Sequence, residues 1–318
     1  LLPTKPELTF ELADDAHPDA ERARHFQSII QQKPTPEEML DELRVKSDDE
    51  AMDAGDAPEG GAKKEYDVKA FTIWFAVILK MASKSPTYNF TAFARYHKTL
   101  KTVAGDSEEM QIALLNALYG CWKNHQQMML ILVDKLLKMQ VIDCAVVLQW
   151  VFDEAKHEHG KQWVWEMLNN ALEKLGKHIA NSRKELEKER EKGEKEKEKG
   201  DDEEMEADGE NGKNSPASTA IAAREAEVSA LLDQQKNVFL DTFIKFAVTL
   251  SEAVRERGEE ETSSLGFALL VGRMRHVFLQ HNVTCEELKE QLAANVFTMD
   301  EIHAAPKMVF KEFCALRE

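Results

Sequence analysis

Three basic residues in one short stretch, FARYHKTLK, are the first candidates for binding chemistry. At helical spacing Arg95 and Lys98 fall opposite the Phe93, Tyr96 and Leu100 stripe, with Lys101 at its flank. Cations gathered in this way can take an acidic segment of a partner or a phosphate, and the same spacing suits a plain solvated face. A second cluster, Asp153, His157 and His159, sets a carboxylate and an imidazole four residues apart, which on one helix brings two metal-ligand types to one side. It lacks a third convincing ligand, so neither a metal nor another cofactor is expected. His97 at the edge of the apolar stripe reads as a hydrogen-bonded boundary residue rather than a base. Trp74, Trp122, Trp150, Trp163 and Trp165 offer faces on which nucleobases could stack, yet each lies inside a helical apolar pattern where filling a core is the expected role. No glycine-rich phosphate loop ending in Gly-Lys-Ser/Thr, no Gly-x-Ser-x-Gly elbow, no His-Asp pair of helical metallohydrolases and no His-Glu-x-x-His is present, so the chain is not expected to be an enzyme.

Composition narrows the partners. The 318 residues carry 58 acidic against 41 basic side chains, a formal charge of -17, which repels a nucleic-acid strand at long range and leaves RNA contact local or delegated. A hydrophobic content of 43% is enough for a folded body. Cys121, Cys144, Cys285 and Cys314 are far apart with no paired ligand spacing, as expected of buried thiols in a reducing compartment such as cytoplasm or nucleus. No apolar run approaches the roughly 20 residues that span a bilayer, so no membrane partner is expected and the sequons at Asn89 and Asn282 read as incidental. The opening LLPTKPELTFEL reads as a mid-chain linker, the expectation being that more protein precedes it.

The elements that must position these residues are helices. Residues 1–47 read as a short helical segment ending a preceding region, with a capping box at Thr35, Pro36 and Glu38. Residues 48–65 read as an acidic flexible loop. Residues 66–318 read as a helical-repeat domain, with no proline between Pro86 and Pro216. Apolar stripes mark its helices: Met129, Leu132, Val133 and Leu136; Cys144, Val147, Leu148 and Val151; Phe239, Phe243, Phe246, Ala247, Leu250 and Val254; Leu270, Met274, Val277 and Phe278. Capping boxes at Thr284 with Glu287 and at Thr298 with Glu301 predict the starts of the last two helices. Two seams, Leu168, Leu172, Leu175, Ile179 and Leu186 on one side and Ile221, Val228, Leu232 and Phe239 on the other, flank a charge-saturated run. They predict an antiparallel coiled-coil hairpin over about 168–239 with a disordered tip at about 193–216. The fold class expected is all-α: an irregular α-solenoid of stacked antiparallel helix pairs with the hairpin protruding. From the residues alone, such a chain is an adaptor with a coiled-coil arm for protein or vesicle assembly.

The segments NFTAFARYHKTLKTVA, LVDKLLKMQVIDCAVVLQWVF, QQKNVFL, VFLQH and FKEFCAL, in that order, resemble the C-terminal helical domain of the large subunit of the nuclear cap-binding complex. The resemblance covers roughly residues 66–199 and 225–318. It implies a scaffold of the helical-repeat type shared with translation-initiation scaffolds, which helps to hold a small subunit with an RNA-recognition motif. That subunit binds the 7-methylguanosine cap, so capped RNA is met indirectly. Also implied are residence in the nucleus and the docking of RNA export, splicing, 3′-end-processing, decay and silencing factors. Deleting residues 193–215 is expected to leave the thermal midpoint nearly unchanged, since a charge-saturated run whose only apolar side chains are Met205 and Ala207 cannot bury a core; a loss of several degrees in a melting scan would show that it packs on something.

Overall fold

The computed structural model describes residues 8–45, 66–200 and 216–316, with backbone alone for 193–200 and 216–218. The segment expected as an acidic loop, residues 48–65, lies wholly outside these residues, and so do positions 201–215 of the expected tip. The fold is all-α, built from stacked antiparallel helix pairs; among the described residues the one extended pairing is an antiparallel bridge between Arg44 and Tyr66. Two compact units divide the chain, the first comprising 1–156 with 161–168 and the second 157–160 with 169–318.

In the first unit, α1 (Ala20–Gln31) and α2 (Pro36–Glu42) lead into α3 (Val68–Met81), which packs against α1 and α6. The capping box predicted at Thr35 is present: the Thr35 hydroxyl accepts from the Glu38 amide at 3.2 Å and the Thr35 amide donates to the Glu38 carboxylate at 2.8 Å. At α3 the Asp67 carboxylate performs the same task for the amides of Lys69 and Ala70, at 2.8 and 3.1 Å. The sequence of α3, VKAFTIWFAVILKM, is apolar on nearly every side, and nine of its residues are buried. Such a helix is stable only when enclosed. Its enclosure comes from α1, α4 (Pro86–Arg95) and α6 (Glu108–Trp122), and α5 (His97–Ala104), α7 (Gln126–Lys138) and the short α8 (Cys144–Gln149) pack in turn on α4 and α6.

One polar residue ties this packing together. Gln111 on α6 is buried, and its amide group donates to the Gly105 carbonyl oxygen and to Asp143 Oδ2, both at 3.3 Å, while its Oε1 accepts from the Asp143 amide at 2.8 Å. The turn that enters α6 and the turn that enters α8 are thereby fixed to one side chain.

The second unit is organised by α9 (Gln162–Gly200), most of which belongs to it, and by α10 (Pro216–Arg257). The predicted seam of α9 is buried from Leu168 to Leu186; on the returning arm Val228 and Phe239 are buried, while Ile221 and Leu232 are half-buried. The arms are antiparallel, as ion pairs of Arg190 with Glu225 and of Arg224 with Glu185 and Glu189 fix the register. α10 stops at Gly258, whose φ of 84° is the left-handed conformation that favours glycine and whose amide donates to the Val254 carbonyl oxygen at 2.7 Å. Beyond it lie α11 (Leu265–Gln280), α12 (Asn282–Glu287), α13 (Lys289–Leu292) and α14 (Ala304–Ala315). Their core is a phenylalanine stack: Phe243 meets Phe278 at 4.0 Å between ring centroids, Phe278 meets Phe313 at 4.7 Å, and Phe297 meets Phe310 at 4.4 Å.

The last two predicted caps fail. α12 begins at Asn282, two residues before Thr284, because the chain bends at His281 and needs no threonine cap there. Thr298 is turned toward the preceding turn, its hydroxyl donating to the Ala294 carbonyl oxygen at 2.9 Å. α14 starts instead at Ala304, capped by His303 through its Nδ1.

Two substitutions test this packing. Phe243→Ala removes the ring on which Phe278 stacks and is expected to cost about 3–5 kcal/mol, read as a lowered midpoint in denaturant titration. Asp67 is the pH-sensitive cap. Burial pushes its carboxyl up, but the Arg22 hydrogen bond at 2.7 Å and the two helix amides outweigh it, so the group lies below its ordinary value. A depressed carboxylate stabilises the fold above its unfolded value of about 3.9 and ceases to do so as pH falls through the folded one. Asp67→Asn, which keeps capping ability, is therefore expected to lose about 1 kcal/mol or less at pH 7, with the gap from the unmodified protein closing below about pH 4.

Candidate partner-binding face

The stretch that carries Arg95, Lys98 and Lys101 is two helices rather than one. α4 ends at Arg95 and α5 begins at His97, with Tyr96 between them at φ −96°, ψ 15°. The ladder survives on both sides of the bend, since the Tyr96 amide donates to the Ala92 carbonyl oxygen and the Tyr96 carbonyl oxygen accepts from the Leu100 amide. Phe93, Tyr96, Leu100 and Val103 remain buried together, as the stripe predicted, because the bend turns the chain around the core. The Tyr96 ring meets Trp74 edge-on at 5.6 Å.

The three cations are exposed but differ in what they meet. Lys98 on α5 pairs with Glu37 of α2, and the hydrogen bond from that ammonium holds the Glu37 carboxyl below its ordinary value. Lys101, one turn further along α5, donates to Gln140 Oε1 at 3.4 Å. Arg95 sits over the ring of Tyr96, 5.4 Å from its centroid, and has no carboxylate partner among the described residues. The face thus holds two engaged lysines and one arginine with charge to spare. His97 is half-buried, its Nε2 donating to the Met139 carbonyl oxygen at 3.0 Å, which makes it a structural boundary residue.

The remaining candidates separate. Asp153 lies in the π-helical turn Trp150–Glu154 and His157 in the short turn Lys156–Glu158, so the single helical face that their spacing implied does not exist. Among the described residues no three His, Cys, Asp or Glu side chains are grouped to hold a metal ion. All five tryptophans are buried and present no face to a nucleobase; Trp150 donates from Nε1 to Asn116 Oδ1 at 2.7 Å. Burial pushes the thiols of Cys121, Cys144 and Cys285 up to about 12, so they stay protonated at neutral pH and are poor nucleophiles. No described helix is long and apolar enough to cross a membrane.

Sequence periodicity missed two hollows of the first unit. One, of about 340 Å³, lies between residues 9–12, α3 and α6 and is mainly apolar, with Ile73, Ala76 and Cys121 in its wall. The other, of about 330 Å³, lies where α1, α3 and α4 end, beside Arg95. Exposed Met81 and Tyr88, both off the apolar stripes, were the available signal.

The MIF4G like family matches residues 10–287. Nuclear cap-binding protein subunit 1 of Caenorhabditis briggsae is 34% identical over 307 residues, 93% of this chain and 37% of that protein. The Caenorhabditis elegans protein of the same name is 40% identical over 185 residues, 58% of this chain and 22% of that one. Nuclear cap-binding protein subunit 1-A of Xenopus laevis is 29% identical over 323 residues, covering all of this chain and 40% of the relative. The chain therefore spans well under half the length of these relatives. The likeness to the large subunit of the nuclear cap-binding complex, read first from five helical segments, extends over nearly the whole sequence, and the chain belongs to the MIF4G like family.

Proposed function

We propose that this chain is part of the scaffold of a nuclear mRNA cap-binding complex. In this reading it helps to hold and order a small subunit with an RNA-recognition motif, and that subunit binds the 7-methylguanosine cap. The observation that carries the reading is the match to subunits named for cap binding along 93% or more of the chain in two of the relatives.

The physical character of the chain supports the same division of labour. A formal charge of -17 disfavours direct grip on a phosphate strand, so a partner must make the RNA contact. Stacked helices with enclosed apolar faces change shape little, and a rigid scaffold can lower the ordering cost of a small partner whose terminal segments must close around a ligand. The scaffold raises affinity in this way without touching the cap. Residence in the nucleus and docking of splicing, export, 3′-end-processing and silencing factors belong to the same proposal. So does the absence of catalysis by this chain.

Retention on resin tests it. A form extended to the length of the relatives, mixed with a recombinant RNA-recognition-motif cap-binding subunit, is expected to retain that subunit through affinity purification and to carry it onto 7-methylguanosine resin at low and moderate salt. Failure of both steps removes the reading.

A further inference from the structure

The hollow beside Arg95 has properties that an incidental surface dent lacks. Two ionisable side chains that are charged at neutral pH line it, Lys33 and Arg95; both are basic, and no acidic side chain does. In a chain of net charge -17 that is a local inversion of sign. Lys33 is held at the end of α1 in the left-handed conformation, φ 60°, with its amide donating to the Ile30 carbonyl oxygen, so its position at the rim is set by the helix terminus. Ile78, Met81, Ala82 and Ala92 supply apolar wall, and Tyr88 at the edge is 58% exposed.

Tyr96 also lines this hollow. Its side chain is only 6% exposed, yet its Oη has no hydrogen-bond partner among the described residues. A buried hydroxyl without a partner costs free energy, and such groups are rare enough in native folds to call for a reason. The ring meets Trp74 edge-on and carries the Arg95 guanidinium over its face, so the hydroxyl stands on a packed ring beside a cation.

We infer that this hollow is a docking site for an extended acidic peptide of a partner protein, one that inserts an apolar or aromatic side chain into the cavity. A neighbouring carboxylate of that peptide reaches Arg95 and Lys33, and a polar group of its backbone satisfies Tyr96 Oη. A volume of about 330 Å³ lies at the small end of the roughly 300–1,000 Å³ range of ligand pockets, which suits one or two large side chains rather than the face of a folded domain. Two cations are too few to track a nucleic-acid backbone against the charge of the whole chain. Lys98, already paired with Glu37, lies outside the lining and takes no part. The site stands whether or not the chain serves a cap-binding complex.

The test is fluorescence anisotropy with three labelled octapeptide pools. In the first, Asp or Glu flanks a central Phe or Leu; the second has Asn and Gln in place of the acids; the third has Ser in place of the apolar residue. The first pool is expected to bind at least ten-fold more tightly than either other pool, and at least ten-fold more tightly than an octamer of uridine. Arg95→Glu and Ala92→Trp, the latter filling the cavity, are each expected to weaken it at least ten-fold. Tyr96→Phe removes only the unpartnered oxygen, so it is expected to weaken binding while leaving the melting temperature unchanged or higher. Lys98→Glu is expected to bind like the unmodified protein. Equal affinity for the three pools, tighter binding of the oligonucleotide, or full binding by both Ala92→Trp and Tyr96→Phe overturns the proposal.

Discussion

A helix that is apolar on nearly every side cannot face water, and α3 makes that constraint decisive for the first unit. Phe71, Trp74, Phe75 and Leu79 are fully enclosed, so α1, α4 and α6 have to surround them. In the second unit the long α10 plays the corresponding part through Phe239, Phe243 and Phe246, which α11, α14 and the turn Ala293–Phe297 cover. At about 25 cal/mol per Å² of apolar surface removed from water, side chains of this size dominate the stabilising terms, and the ion pairs on the surface add little. The proposed function draws on the same constraint. Helices locked to one another by large rings form a body with few alternative packings, which is what the proposed scaffold role requires.

The packing was legible in the sequence wherever a stripe was long. Every residue of the stripes from Met129, Cys144, Phe239 and Leu270 onward is buried, because the 3.6-residue period records which side of a helix must be covered. Helix ends were less legible. Thr35 with Glu38 formed its box, whereas Thr284 falls inside a helix that already begins at Asn282 and the Thr298 hydroxyl bonds backward to its own turn, as a threonine can as readily as forward to a cap. The bend at Tyr96 escaped for a related reason: the stripe continues through it unbroken, so periodicity alone cannot report that α4 and α5 are separate. The tryptophans were read correctly as core, since each sits within an apolar pattern.

The candidate face was legible in composition but not in pairing. Nothing in FARYHKTLK discloses that Glu37, 61 residues earlier, neutralises Lys98, nor that Gln140 takes Lys101. Such contacts depend on tertiary packing that a local pattern does not contain. The same is true of Tyr96, whose ring obeys the stripe while its hydroxyl is left without a partner. The charge of the chain, by contrast, is visible at once and disfavours a direct grip on a phosphate strand.

In the proposed complex the helical body raises a partner's affinity for a ligand which the body itself does not bind. The most direct measurement is calorimetric titration of 7-methylguanosine triphosphate into the RNA-recognition-motif subunit alone, into the extended scaffold alone, and into the two together. No heat of binding is expected with the scaffold alone, and a clearly lower Kd for the pair than for the small subunit by itself. Equal affinity with and without the scaffold, or saturable binding by the scaffold alone, would contradict this reading.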